Sequence, residues 1–228
     1  MIETVLLDLD DTILDFHKAE AIALRRALAE MDVPVTDAIA ERYSEINAAQ
    51  WRALEAGEIT RKQVLTRRFE LLYAELGLTR SPEETQRRYE GYLSRGHYFI
   101  PGAVELLEAL YPKYALYLVS NGNAVVQEGR LKSANISHYF REMFISEHIG
   151  ADKPSLVYFD RCFARIPGFR RETAILVGDS LTSDIRGGIN AGVRTCWFNP
   201  RHKPKNPDIP ADFEIDALSD LPPLLERI

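Results

Sequence analysis

The residues best equipped for chemistry begin in one short stretch. LLDLDDTILDF, residues 6–16, runs an apolar segment straight into Asp8, Asp10 and Asp11. Carboxylates this close repel, and each raises the cost of ionising its neighbours. The stretch is either a solvated turn or one side of a site built around positive charge. Three others suit the second reading. LYLVSNG ends in Ser120, Asn121 and Gly122, GADKPS places Lys153 ahead of Pro154, and LVGDSLTSD supplies Asp179 and Asp184. If Asp8, Asp10, Asp179 and Asp184 converge on the lone Lys153, the cluster keeps an excess of negative charge. A hard divalent cation answers that excess, and Mg²⁺ takes carboxylates, waters and a phosphate oxygen. Carboxylates, a lysine, a small hydroxyl and such an ion are the equipment of phosphoryl transfer. The cations offset charge on the transferring group, while hydroxyl and backbone N–H groups hold its oxygens.

Convergence needs a scaffold, and the apolar pattern supplies one. Residues 2–9 read as a buried strand. From about His17 to His97 apolar residues recur at helical spacing, which predicts helices and no strand. We expect four, the last opened by Ser81 as N-cap, Pro82 as first helical residue and Glu84 as capping-box partner. After Pro101 the pattern alternates. YALYLVSNG, REMFISE, TAILVGD and VRTCWFN read as strands, separated by the helices NAVVQEGRLKSA, SLVYFDRCFARI and SDIRGGINAG and preceded by GAVELLEALYPK. A Pro-rich loop (PRHKPKNPDIP), a short strand (ADFEID) and a closing helix (LSDLPPLLERI) follow. Apolar strands joined by helical crossovers predict a doubly wound parallel α/β sheet. The expected division is a core of residues 1–15 and 99–228 and a helical insertion of 16–98. In open α/β sheets ligands bind at the carboxyl ends of strands, where these polar stretches fall.

Composition narrows the partners. Against 28 Lys and Arg stand 34 Asp and Glu, a net charge of −6 that argues against nucleic acid or an anionic membrane as partner. No apolar run reaches the roughly 18 residues of a membrane span, and no leader pattern opens the chain. We expect a cytoplasmic monomer or homodimer, with Cys162 and Cys196 as buried free thiols.

The stretches DLDDT, VSNG, DKP and GDSLTSD resemble, in order, the four motifs of the haloacid-dehalogenase-like (HAD) hydrolases, and the helical insertion resembles their C1-type cap. The resemblance implies that Asp8 is the nucleophile that becomes an aspartyl-phosphate, and that Asp10 is general acid, then base. It implies that Asp10 also offers a backbone carbonyl to Mg²⁺. Ser120, with Asn121 and Gly122 beside it, would hold a phosphoryl oxygen, and Lys153 would pair with Asp8 and the phosphate. Asp8 and Asp179 would ligate Mg²⁺, with Asp184 supporting the ion or orienting Lys153. Asp11 is expected to be solvated and Thr12 to fix the turn. Dehalogenases of this family lack a carboxylate two positions after the nucleophile, so Asp10 favours a phosphatase.

INAAQWRALEAGEITRKQV, ISEHIGADKP, VGDSLTSDI and GGINAGVRTCWFN are further similar to bacterial 5′-nucleotidases acting on pyrimidine nucleoside monophosphates, modified ones included. The rivals are a phosphatase of phosphoglycolate or a sugar phosphate and a non-enzymatic receiver domain phosphorylated on Asp. Length, the insertion and Asp10 speak against the receiver.

Substrate choice falls to the insertion. Its candidates are Phe16, His17 and Trp51, with His97-Tyr98-Phe99 where it returns. The ordinary readings are a core place for Trp51 and a surface place for His17. The doublets Arg25-Arg26, Arg67-Arg68 and Arg87-Arg88 read as solvated helix faces. GGINAG reads as close helix packing ended by Gly192, and PRHKPKNP as a surface loop that could at most rim the site.

Overall fold

The computed structural model describes residues 1–228. A six-stranded, wholly parallel sheet has the order β3-β2-β1-β4-β5-β6. Its strands are β1 (Thr4–Leu7), β2 (Ala115–Ser120), β3 (Glu142–Ile145), β4 (Ala174–Gly178), β5 (Arg194–Phe198) and β6 (Phe213–Ile215). Every residue of β1 is buried because helices cover both faces. Val5 and Leu7 point into one layer with Leu107, Leu118 and Val177, while Leu6 points into the other with Val119, Leu176 and Phe159. Leu7 lies level with Leu118 of β2 and Val177 of β4. That register sets Asp8, Ser120 and Asp179, each just beyond, at one edge of the sheet.

The strand expected over 2–9 is shorter because both Ile13 N–H and Leu14 N–H donate to Leu9 O, at 3.0 and 2.9 Å, which turns the chain at once. The core helices are α5 (Ala103–Leu110), α6 (Ala124–Ala134), α7 (Ser146–Ile149), α8 (Leu156–Phe163), α9 (Arg186–Ala191) and α10 (Leu221–Arg227), numbered after the four below. Gly187 and Gly188 let α9 pack closely: a Cβ there would sit 2.7 Å from the Phe159 ring and 2.5 Å from Thr195 Cγ2. Cys162 and Cys196 are free and buried.

Between β1 and α5 lie α1 (Phe16–Ala29), α2 (Asp37–Glu55), α3 (Arg61–Leu76) and α4 (Pro82–Leu93), and no strand. They bury their own apolar faces together, around Leu24, Leu28, Phe69 and Leu72 and the contacting rings of Tyr43, Phe69 and Tyr89. Asp15 caps α1 by accepting from Lys18 N–H at 2.8 Å. The chain leaves and returns side by side, with Asp15 N–H donating to Tyr98 O at 2.7 Å. Ser81 caps α4, but the expected reciprocal bond from Glu84 is not made. The Glu84 carboxylate turns down the helix to Arg88, at 2.6 Å, and to Arg87, and the full capping box belongs to Thr60 and Gln63 on α3.

Candidate active site

The sheet edge gathers the acids around one ammonium. Lys153 is 1% exposed, and its Nζ donates to Asp8 Oδ1 at 2.7 Å, Asp184 Oδ1 at 2.7 Å and Val119 O at 3.0 Å. Burial works against the charged lysine, but Asp184 and Asp8 outweigh it and hold its pKa above the usual value. The Asp8 carboxyl is pushed well above the usual range, first by burial and then by Asp184, with Lys153 opposing. Thr12 does more than shape the turn: its hydroxyl donates to Asp8 Oδ2 at 3.2 Å. Asn121 spends its side chain on the Lys153 backbone, donating to its carbonyl at 2.9 Å and accepting from its N–H at 2.8 Å. The sequence expected an ordinary helix at SDIRGGINAG. Instead a π-helical turn, Leu181–Ile185, precedes α9 and carries Asp184 back beneath the end of β4. Only glycine fits there, since a Cβ on Gly178 would lie 2.3 Å from the Asp184 carboxyl.

One carboxylate oxygen each from Asp8, Asp179 and Asp184 lies within 4.8 Å of the others. Hard oxygen donors at that spacing, with net negative charge, fit Mg²⁺. The Asp10 backbone carbonyl accepts no backbone hydrogen bond, so it too is free to serve as a ligand. Asp179 is pushed to about 6 by burial, with Lys203 opposing and Asp184 adding. Lys203 comes from the Pro-rich loop and donates to Asp179 Oδ2 at 3.0 Å, so that loop is more than a surface connection.

Asp10 is gripped by α6, which the sequence reading missed. Arg130 bonds Asp10 Oδ1, and Gln127 Nε2 donates to Asp10 Oδ2 at 2.7 Å. Gln127 Nε2 also donates to Ser120 Oγ at 2.8 Å, and Ser120 is 1% exposed, behind the cavity wall. The fully buried Arg130 donates from Nε to Gly96 O at 3.0 Å, which ties this grip to the chain leaving α4. Asp11, expected in solvent, is mostly buried. Its Oδ1 accepts from Phe16 N–H at 2.9 Å at the start of α1, and burial with Asp10 beside it pushes its carboxyl to about 6.

Above the acids lies an open cleft. Asp8, Asp10, Asn121, Gly122, Lys153, Asp179 and Asp184 line its floor, and Phe16, Trp51, Glu55, Leu65, Arg68, Glu90 and Leu93 bring the insertion to its wall. Trp51 is therefore half-buried on the cleft, with the Arg61 guanidinium 5.5 Å over its ring, and is not a core residue. Arg61 itself crosses to the core: it donates to Asn121 O at 2.8 Å, Gly122 O at 3.1 Å and Ser146 Oγ at 2.5 Å, and pairs with Asp152. Arg68, expected on a solvated face, is 3% exposed, because it shares the inward stripe of α3 with Val64 and Leu72. His17 is not on the wall. It is exposed and pairs with Asp11 at 3.1 Å. His97, Tyr98 and Phe99 are not there either; His97 bonds Ser133 at 2.6 Å and Phe99 packs on the core.

Comparisons with known proteins show the family and the fold. The sequence model of a family described as haloacid dehalogenase-like hydrolase matches residues 5–198. The pyrimidine 5′-nucleotidase PynA of Streptococcus pneumoniae is 35% identical, over 98% of this chain and 94% of its own. The pyrimidine 5′-nucleotidase YjjG of Escherichia coli is 29% identical, over 97% and 96%. The HAD-hydrolase YfnB of Bacillus subtilis, solved bound to magnesium, superposes with a TM-score of 0.94 at 41% identity over 98% of both chains.

Proposed function

The chain belongs to the haloacid dehalogenase-like hydrolases, and from that premise we propose that it hydrolyses phosphate monoesters through an aspartyl-phosphate on Asp8. Pyrimidine nucleoside monophosphates, modified ones included, are the proposed substrates, and residues 16–98 act as the cap over a core of 1–15 and 99–228. The observation that carries the reaction type is Asp10: a second carboxylate on the cleft, fixed by Arg130 and Gln127, two positions from the proposed nucleophile. A halide leaves without a proton, whereas the alkoxide of a phosphate ester needs one.

The steps follow from the positions. An Asp8 oxygen forms a bond to phosphorus as the ester P–O bond breaks, and Asp10 gives its proton to the departing oxygen. Asp10 then takes a proton from water, whose oxygen attacks phosphorus. The Asp8–phosphorus bond breaks, freeing inorganic phosphate and restoring the carboxylate. Lys153 holds Asp8 in place and offsets charge on the phosphoryl oxygens. Mg²⁺, held by Asp8, Asp179, Asp184 and the Asp10 carbonyl, would supply further positive charge to those oxygens when bound. Thr12 and Lys153 orient Asp8, and Asn121 fixes the Lys153 backbone. The pyrimidine reading is supported by the two nucleotidase relatives and by an aromatic and apolar cleft wall.

A panel of phosphate esters tests both levels. Pyrimidine nucleoside monophosphates should exceed phosphoglycolate and sugar phosphates in kcat/KM by more than about tenfold, roughly 1.4 kcal/mol. Equal rates would remove the nucleotidase reading. Asp8→Asn should abolish turnover and Asp10→Asn nearly so, and chelation should stop phosphate release. A single stoichiometric burst from an aryl phosphate would instead indicate a receiver.

A further inference from the structure

The insertion's share of the cleft wall carries three charged groups that the proposed chemistry leaves unused, Glu55, Arg68 and Glu90; Glu55 already accepts from the Thr182 hydroxyl at 3.0 Å, which leaves the other two. Arg68 on α3 is 3% exposed and lines the cleft. Its Nε–H is shared between Leu65 O at 3.3 Å and Gln86 Oε1 at 3.2 Å. Nη1 donates to Asn47 Oδ1 at 2.8 Å and Nη2 to Gln86 Oε1 at 2.7 Å. A guanidinium has five N–H groups, so one on each Nη has no acceptor. No carboxylate touches it. Asn47 instead passes its polarity to buried Glu20, donating to Oε1 at 2.6 Å. Leaving N–H groups of a buried cation unpaired is costly, and a ligand would satisfy them.

Glu90 on α4 stands on the same wall, forms no ion pair with Arg68, and is raised by burial against the opposing influence of Gln86 and Arg68. A donor pair and an acceptor therefore share one apolar wall with Leu65, Leu93 and Trp51. A second anion is the wrong occupant, because Glu90 would repel it. A sugar's hydroxyls could bond these groups but would leave the apolar surface uncovered. A flat ring with a carbonyl oxygen next to an N–H, as in uracil and thymine, satisfies all of them.

We propose that Arg68 and Glu90 form a base-reading subsite: the open Nη N–H groups donate to a ring carbonyl oxygen, Glu90 accepts from the adjacent ring N–H, and the ring lies against Trp51. The proposal rests on the nucleotidase reading and deepens it. Asn47 and Gln86 position Arg68 without touching the ligand.

The test compares uridine 5′-monophosphate, its N3-methyl and 5-methyl derivatives and ribose 5-phosphate on the full chain with Mg²⁺. N3-methylation should lower kcat/KM by about tenfold or more, and 5-methylation should stay within about threefold. Glu90→Ala should erase the N3-methyl penalty, and Arg68→Gln should lower the ratio of kcat/KM for uridine monophosphate to that for ribose 5-phosphate by about tenfold. A structural role alone would move neither the penalty nor the ratio. If either variant fails to fold, the N3-methyl comparison on the unaltered enzyme decides. A preference for uridine monophosphate that tolerates N3-methylation overturns this subsite alone. Equal rates on uridine monophosphate and ribose 5-phosphate overturn the nucleotidase reading and the subsite with it.

Discussion

Lys153→Met keeps a long, mostly apolar side chain and removes only the ammonium. Asp8 and Asp184, 5% and 1% exposed, each lose a partner at 2.7 Å and face one another with no cation between them. Breaking a buried pair from one side costs about 3–5 kcal/mol. At roughly 2–4 °C per kcal/mol for a chain of this size, the melting temperature at pH 8 should fall by about 6–20 °C. The pH dependence has a definite sign. Burial and Asp184 already hold the Asp8 carboxyl above its usual value, and losing Lys153 removes the opposing influence. From about pH 4 upward the folded variant therefore binds a proton that the unfolded chain, with a carboxyl near 3.9, releases. Stability falls with pH wherever the folded state holds more protons. The deficit should thus be greatest at pH 8, shrink toward pH 5, and be partly recovered at pH 8 by Mg²⁺. Thermal unfolding of both proteins at the two pH values, with and without Mg²⁺, measures this. A variant as stable as its parent at pH 8, or one whose deficit grows on acidification, refutes the electrostatic account of the site.

Further outcomes follow from other contacts. Arg61→Ala cuts the tie from α3 to the Asn121–Gly122 backbone and Asp152, a charged contact worth about 1.5–3 kcal/mol, so KM should rise about tenfold or more and small-angle scattering should show a more open molecule. Lys203→Met frees Asp179 from a half-exposed competitor and should tighten Mg²⁺ binding by up to about fivefold in calorimetry, whereas weaker binding would count against Asp179 as a ligand. Burial pushes the Cys162 and Cys196 thiols up to about 12, so at pH 8 the folded protein should resist a thiol reagent that modifies both after unfolding.

The acids were legible in the sequence because a buried strand has no structural reason to end in charge. Asp8 after β1 and Asp179 after β4 sit where strand register must bring them to neighbouring strand ends, one residue out of step, and Lys153 was the lone cation in a stretch of the right kind. The sheet itself was legible from apolar runs alternating with helices. What failed were short-range assumptions about helix faces. Arg67 and Arg68 look alike as a doublet, yet one helical step of about 100° separates them. Arg67 points to solvent, while Arg68 falls on the stripe of Val64 and Leu72, four residues to either side. Its position in that stripe was the available signal.

The grip on Asp10 was harder to see, for a physical reason. Gln127 and Arg130 are three residues apart on α6 and read as ordinary polar positions of an amphipathic helix. Their near-complete burial, 1% and 0% exposed, follows from where α6 lies: the sheet edge is on one side, and the chain leaving α4 is on the other. A sequence shows the first neighbour through the strand pattern but not the second. The one local sign is Gly129 between them. A Cβ there would lie 2.7 Å from Ser94 O, so this helix must approach the insertion's exit too closely for any side chain. An arginine beside such a glycine cannot reach solvent past that contact. It must spend its charge inward, on the Gly96 carbonyl and on Asp10. The acid proposed for catalysis and the returning segment of the insertion therefore share one guanidinium, and any displacement of residues 94–97 is transmitted to Asp10 through it.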